Sequence, residues 1–146
     1  VAEEVVPLPA ILADAPPFGE ALARSRETGV PLAVFTTADR CGVCQQFKRS
    51  TLDDPRLVSF LAEGRVLAVH VEVDRAGDDV RAALGSPAIP ATYLLVPGRP
   101  PARLAGLRPA DAVIAFLSTA ADADQPPASA PKTRNAETPI TTSVPK

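Results

Sequence analysis

The sequence has no methionine, only one histidine and only two cysteines in 146 residues. Without methionine Val1 is not an initiator residue, and the start is read as processed or trimmed, a removed secretory signal being one explanation. Two cysteines two residues apart, Cys41 and Cys44, exclude a disulfide-stapled framework, because a bridge across so short a span hardly constrains the unfolded chain. A single distant histidine and no second cysteine pair leave a zinc site short of its four ligands, so no metal is assigned. Charge of one sign is not in excess: 15 Lys and Arg stand against 17 Asp and Glu, a net charge of -2. That gives no basic footprint for nucleic acid. The longest apolar runs, Tyr93 to Val96 and Ala112 to Leu117, are far below the roughly 18 residues that span a bilayer, so a soluble chain without membrane insertion is expected.

What the sequence has in abundance is proline, 17 in all, nine of them in residues 1–17 or 122–146. The expected organisation is an N-terminal extension over 1–16, one domain over 17–121, and a flexible Pro/Ala/Ser/Thr-rich tail over 122–146 that has too little apolar surface to offset its ordering entropy. Within the domain the hydrophobic period switches in order. Helices are expected at Pro17–Thr28, at about Cys41–Thr51, from Pro55 behind Asp54 up to Gly64, at Asp78–Leu84 before Gly85, and at Pro109–Thr119. Strands are expected at Leu32–Thr37, Val66–Asp74, Ala91–Val96 and Ala102–Ala105. Strands separated by helices imply a parallel section, and the last two, joined by a tight turn at Gly98 to Pro101, an antiparallel one. The expected fold is therefore α/β, a central four-stranded mixed sheet flanked by helices.

Cys41-Gly42-Val43-Cys44 falls where a strand ends and a helix begins. Unpaired N–H groups and the positive end of the helix dipole stabilise a thiolate there. Residues three apart on one helical turn also bring their Cα atoms roughly 5 to 5.5 Å apart, within disulfide reach. Both features point to a redox-active dithiol; a structural bridge or idle thiols are the alternatives. Arg40 and Lys48 add cationic groups nearby, read as solvated side chains without a required role.

The run from Phe35 through Cys41-Gly42-Val43-Cys44, followed by Ile89-Pro90-Ala91-Thr92 leading into a strand, resembles the thioredoxin superfamily over about residues 17 to 120. The resemblance implies the thioredoxin fold, a cis-proline at Pro90, and a substrate groove in which backbone groups of Ile89 pair with an extended substrate segment. It implies thiol–disulfide exchange in which Cys41 attacks and Cys44 resolves, with no cofactor. The partners implied are protein substrates bearing disulfides or thiols, and a redox partner protein. Three departures stand out. Arg40 replaces the usual Trp before the first cysteine, Val43 the usual Pro, and Phe35 the buried acid that many members carry. His70, at the position where the family often has a Lys near that acid, is a possible proton acceptor for Cys44, set against a histidine that is merely packed.

Segments around Glu27 to Leu32 and Thr51 to Pro55 resemble the secreted and periplasmic branch, including the C-terminal domain of membrane-bound disulfide reductases. A periplasmic or secreted protein-disulfide reductase is the expectation. A redox-inactive binding module on the same fold, or an accessory for copper- or haem-protein maturation, are the alternatives.

Overall fold

The computed structural model describes residues 6–123. Six helices and four strands follow one another as α1 Ala10–Ala13, α2 Phe18–Thr28, β1 Leu32–Thr37, α3 Gly42–Phe47, α4 Pro55–Ala62, β2 Leu67–Glu72, α5 Asp78–Leu84, β3 Ala91–Leu95, β4 Ala102–Ala105 and α6 Ala110–Ala123. The sheet order is β2-β1-β3-β4. β1 is parallel to β2 and antiparallel to β3, and β3 is antiparallel to β4, the mixed sheet expected from the connections.

Alternation along the strands builds two apolar layers. Ala33, Phe35, Leu94 and Val96 face Phe47, Leu52, Leu57, Phe60, Leu61, Val113 and Leu117, so α3, α4 and α6 cover one side. Leu32, Val34, Val69, Val71, Tyr93 and Leu95 face Phe18, Ala21 and Val80, so α2 and α5 cover the other. All six residues of β1 are buried, as a strand covered on both faces requires.

Local signals terminate most elements where the sequence places them. α2 ends at Gly29, whose φ of 80° lies in the left-handed region that favours glycine. α4 begins behind Asp54, whose carboxylate accepts the Arg56 N–H, with Pro55 in the first turn.

Several boundaries differ from the sequence reading. β2 stops at Glu72 rather than continuing to Asp74, because the Glu72 carboxylate accepts the Arg75 N–H and turns Val73–Arg75 into a 3₁₀ turn. The helix expected over about 41–51 is α3 followed by a π-helical turn, Lys48–Leu52. The 1–16 extension is not set apart from the domain either. Leu12 is buried in the first apolar layer with Leu8 and Ile11 packed on it, since proline density marks turns but does not remove the need to bury apolar side chains. At the other end α6 runs past 121 to Ala123, and the rest of the expected tail lies outside the described residues.

Candidate active site

β1, the fully buried central strand, delivers the chain through Ala38 and Asp39 to Cys41, which is the N-cap of α3 with extended backbone angles (φ -99°, ψ 112°). The cap side chain here is a sulfur. The Cys44 N–H donates to Cys41 Sγ at 3.1 Å, as it would to a serine or aspartate oxygen in that position. The Cys41 N–H in turn donates to the Ala38 carbonyl at 3.0 Å. Both cysteines are free thiols, Cys41 half-buried and Cys44 with no exposed surface. Val43 between them is 53% exposed, so the segment carrying Cys41 faces solvent. Burial first, and then the neighbouring Cys41 sulfur, push the Cys44 thiol up to about 12. A backbone hydrogen bond at Ala38 and the Lys48 charge act in the opposite direction.

Pro90 is reached from the other side of the sheet. Thr36 on β1 lies opposite Ala91 on β3, so Pro90 sits beside the end of β1 from which the 38–41 segment leaves. The Ile89–Pro90 peptide bond is cis. The loop is held from three directions. The Thr36 hydroxyl donates to the Ala88 carbonyl at 2.7 Å, the Ala88 N–H donates to the Tyr93 hydroxyl at 2.9 Å, and the Gly106 N–H donates to the Pro90 carbonyl at 2.8 Å. Pro90 is buried and Ile89 half-buried.

A charged lattice fastens the segment before Cys41 to the end of β2. The Asp39 N–H donates to Glu72 at 2.6 Å, Arg75 donates to Asp39 at 2.9 Å, and Arg40 donates to Asp74 at 2.8 Å. The Arg75 guanidinium holds the Asp39 carboxyl below the usual carboxylate range. Arg40, exposed and paired at the rim, matches the solvated reading. Lys48 does not: it is 2% exposed, its Nζ donates to the Val6 carbonyl at 3.2 Å, and Asp39 is 3.9 Å away. The signal was present in the sequence. Cys44, Phe47, Lys48, Thr51 and Leu52 follow the i, i+3, i+4, i+7, i+8 spacing of a buried helical face, with a lysine inside the stripe. Gln45, also buried, accepts the Val6 N–H at 2.7 Å and donates to the Asp39 carbonyl at 3.2 Å. The extension is thereby tied to α3 and to the π-helical turn that follows it through both polar groups of the Val6 backbone.

His70 stands on β2 opposite Phe35, and its Nε2 shares a hydrogen bond of 2.6 Å with the Thr37 hydroxyl. No hydrogen bond joins it to Cys44 among the described residues. Burial, followed by the Lys48 charge, lowers the imidazole to about 4 from its usual 6.5. A base whose folded pKa is depressed binds its proton in the unfolded chain first, so stability is lost as pH falls from about 6.5 to about 4. Two and a half pKa units correspond to about 3 kcal/mol. Replacing His70 by Gln should remove up to about 3 kcal/mol of the acid sensitivity in that window, measured by urea unfolding at successive pH values. An unchanged slope between pH 4 and 6.5 would show that the ring is already charged when folded.

Phe35, in the place of the acid, is fully buried in the first apolar layer. Among the described residues no group of three or more His, Cys, Asp or Glu side chains is arranged to hold a metal ion. No helix among them is long and apolar enough to cross a membrane.

A family model described as thioredoxin-like matches residues 15–97, more than half of the chain. The chain belongs to the thioredoxin-like family. Solved structures agree on the fold. A thioredoxin from Thermus thermophilus is 28% identical with a TM-score of 0.61, over 75% of this chain and 87% of that one. Chloroplastic thioredoxin z is 25% identical with a TM-score of 0.51, over 72% and 90%. The C-terminal domain of Neisseria meningitidis DsbD in the reduced form is 19% identical with a TM-score of 0.51, over 69% and 91%, a likeness of fold alone. No curated protein matches the sequence. A thioredoxin-like fold carrying the Cys41–Cys44 pair indicates a thiol–disulfide oxidoreductase in general terms.

Proposed function

We propose that this thioredoxin-like protein is an exported protein-disulfide reductase that uses Cys41 and Cys44 as its dithiol. The observation that carries the reading is the pairing of an accessible sulfur at a helix cap with a fully buried one whose N–H touches it at 3.1 Å. The Cys41 thiolate attacks one sulfur of a substrate disulfide, and the other sulfur leaves as a thiolate. Cys44 then gives up its proton and attacks Cys41 Sγ, so the second substrate sulfur departs and the Cys41–Cys44 disulfide closes. Two electrons pass to the substrate. The exposed Val43 and the groove at Ile89 and Pro90 receive the substrate segment, with Ile89 backbone groups pairing to it as an added strand.

Export is read from two local segments of the chain. The stretches around Glu27 to Leu32 and Thr51 to Pro55 are similar to the secreted and periplasmic branch of the superfamily. The reducing direction is part of the proposal, and the midpoint of the Cys41–Cys44 couple tests it.

Equilibration against dithiothreitol mixtures, read by thiol labelling, should give one two-electron transition. Its midpoint should fall between roughly -270 and roughly -120 mV, the span from thioredoxin to strongly oxidising relatives, and nearer the reducing end. Turnover of insulin disulfides should accompany it. A midpoint outside that span together with no turnover would leave a redox-inactive binding module as the better account.

A further inference from the structure

The charges around the resolving cysteine are unusual for so deep a site. Lys48 lies one helical turn beyond Cys44 on the same buried face, and its ammonium has one hydrogen-bond acceptor among the described residues, the Val6 carbonyl. Its nearest carboxylate, Asp39, is 3.9 Å away and already bonded to Arg75 at 2.9 Å. The buried ammonium therefore shares a counter-charge that a second cation holds more closely. A buried cation so incompletely neutralised lowers the cost of any new negative charge that forms beside it.

We infer that Lys48 is a positioning residue for the second half of the exchange: its buried ammonium stabilises the Cys44 thiolate as that sulfur turns on the mixed disulfide. This deepens the dithiol reading and rests on it. The Cys44 S–H bond breaks, its proton passing through solvent to the substrate thiolate released in the first step. The Cys44–Cys41 S–S bond then forms as the Cys41–substrate S–S bond breaks, and the electron pair leaves with the substrate sulfur. No other oxidant or reductant is needed. Lys48 supplies charge and takes no proton.

The charged and titratable groups acting on Cys44 are Cys41 and Lys48. Asp39 and His70 in turn act with Lys48, and Glu72 and Arg75 hold Asp39. His70 stays neutral near pH 7 because its imidazole titrates at about 4. Glu72 accepts the N–H groups of Asp39 and Arg75, and the Arg75 guanidinium is bonded to Asp39. Lys48 is also the cation that acts to lower the Cys44 thiol against its burial.

The test separates the two halves of the reaction. The reduced protein is mixed with less than one equivalent of dithiobis(nitrobenzoic acid) in a stopped-flow instrument. Attack by Cys41 releases one thionitrobenzoate, and resolution by Cys44 releases a second. Lys48→Met should leave the first phase within about twofold, slow the second about tenfold at pH 7, and raise its pH midpoint by about one unit, the tenfold change that one pKa unit represents. Lys48→Arg, which keeps the charge, should restore the second phase. Asp39→Asn removes the carboxylate that competes for the ammonium, and should lower the midpoint instead; it also serves if Lys48→Met does not fold. An unchanged second phase in Lys48→Met, both phases slowed alike, or a raised midpoint in Asp39→Asn would overturn the role of Lys48. A wild-type protein that releases no second thionitrobenzoate would instead overturn the dithiol reading before Lys48 is considered.

Discussion

Cys41→Ser should abolish disulfide reduction, and Cys44→Ala should stop turnover by a different route, leaving the protein covalently joined to its substrate. The asymmetry follows from burial. Cys41 reaches solvent and Cys44 has no exposed surface, so only Cys41 can meet a sulfur on another protein. A serine hydroxyl stays protonated where a thiol ionises, and the loss in rate should exceed about a thousandfold, since the thiolate is the nucleophile. In Cys44→Ala the first attack still proceeds, but no nucleophile stands 3.1 Å from Cys41 Sγ to release the complex. Non-reducing electrophoresis with insulin as substrate should show adducts that dithiothreitol dissolves in Cys44→Ala and none in Cys41→Ser. Adducts in Cys41→Ser would assign the attack to the wrong sulfur here. The same trapping in the native compartment would identify the physiological partner.

Phe35→Ala should cost about 3 to 5 kcal/mol, the range for truncating a buried phenylalanine. The ring has no exposed surface and lies in the apolar layer with Phe47, Leu52 and Leu57, on the strand that pairs with both β2 and β3. Neighbours on three elements limit how far the site can collapse around the void. For a domain of this size the loss is a large fraction of total stability and should lower the melting temperature by roughly 10 to 20 °C, read by calorimetry. A shift of only a few degrees would mean that the layer closes over the vacancy. The position has a chemical consequence too. Phenylalanine can neither take nor give a proton, so the resolving cysteine must be managed from elsewhere, and the buried charge that acts on it is Lys48 on the same helical face.

Much of the site was readable from local signals. Cys41 before a helix start, Gly29 after a helix end, and Asp54 followed by Pro55 are decisions made within one turn of chain, and each stands where the residue types place it. The N-terminal segment was less readable. Its proline density obscured the spacing of Ile11 and Leu12, which a short helix turns toward the core, and of Leu8 just before it. Lys48 shows the same limit in sharper form. Its place in an apolar stripe argued for burial and its charge for solvent, and sequence alone weighted the charge.

By itself, then, the sequence determined the helices and strands from α2 onward in their order, the apolar faces of the strands, and a dithiol at a strand–helix junction, because these depend on period and on neighbours a few residues apart. Tertiary structure showed that Cys44 is the hidden thiol, as the resemblance implied, and that β1 is the central strand with β2 and β3 at its sides. It decided also that Lys48 finds its acceptor 42 residues away at Val6, and that the His70 ring shares a hydrogen bond with the Thr37 hydroxyl. The physical reason is that the free energy of a charge or a proton depends on everything packed around it. In this protein those surroundings are assembled from segments far apart in the chain.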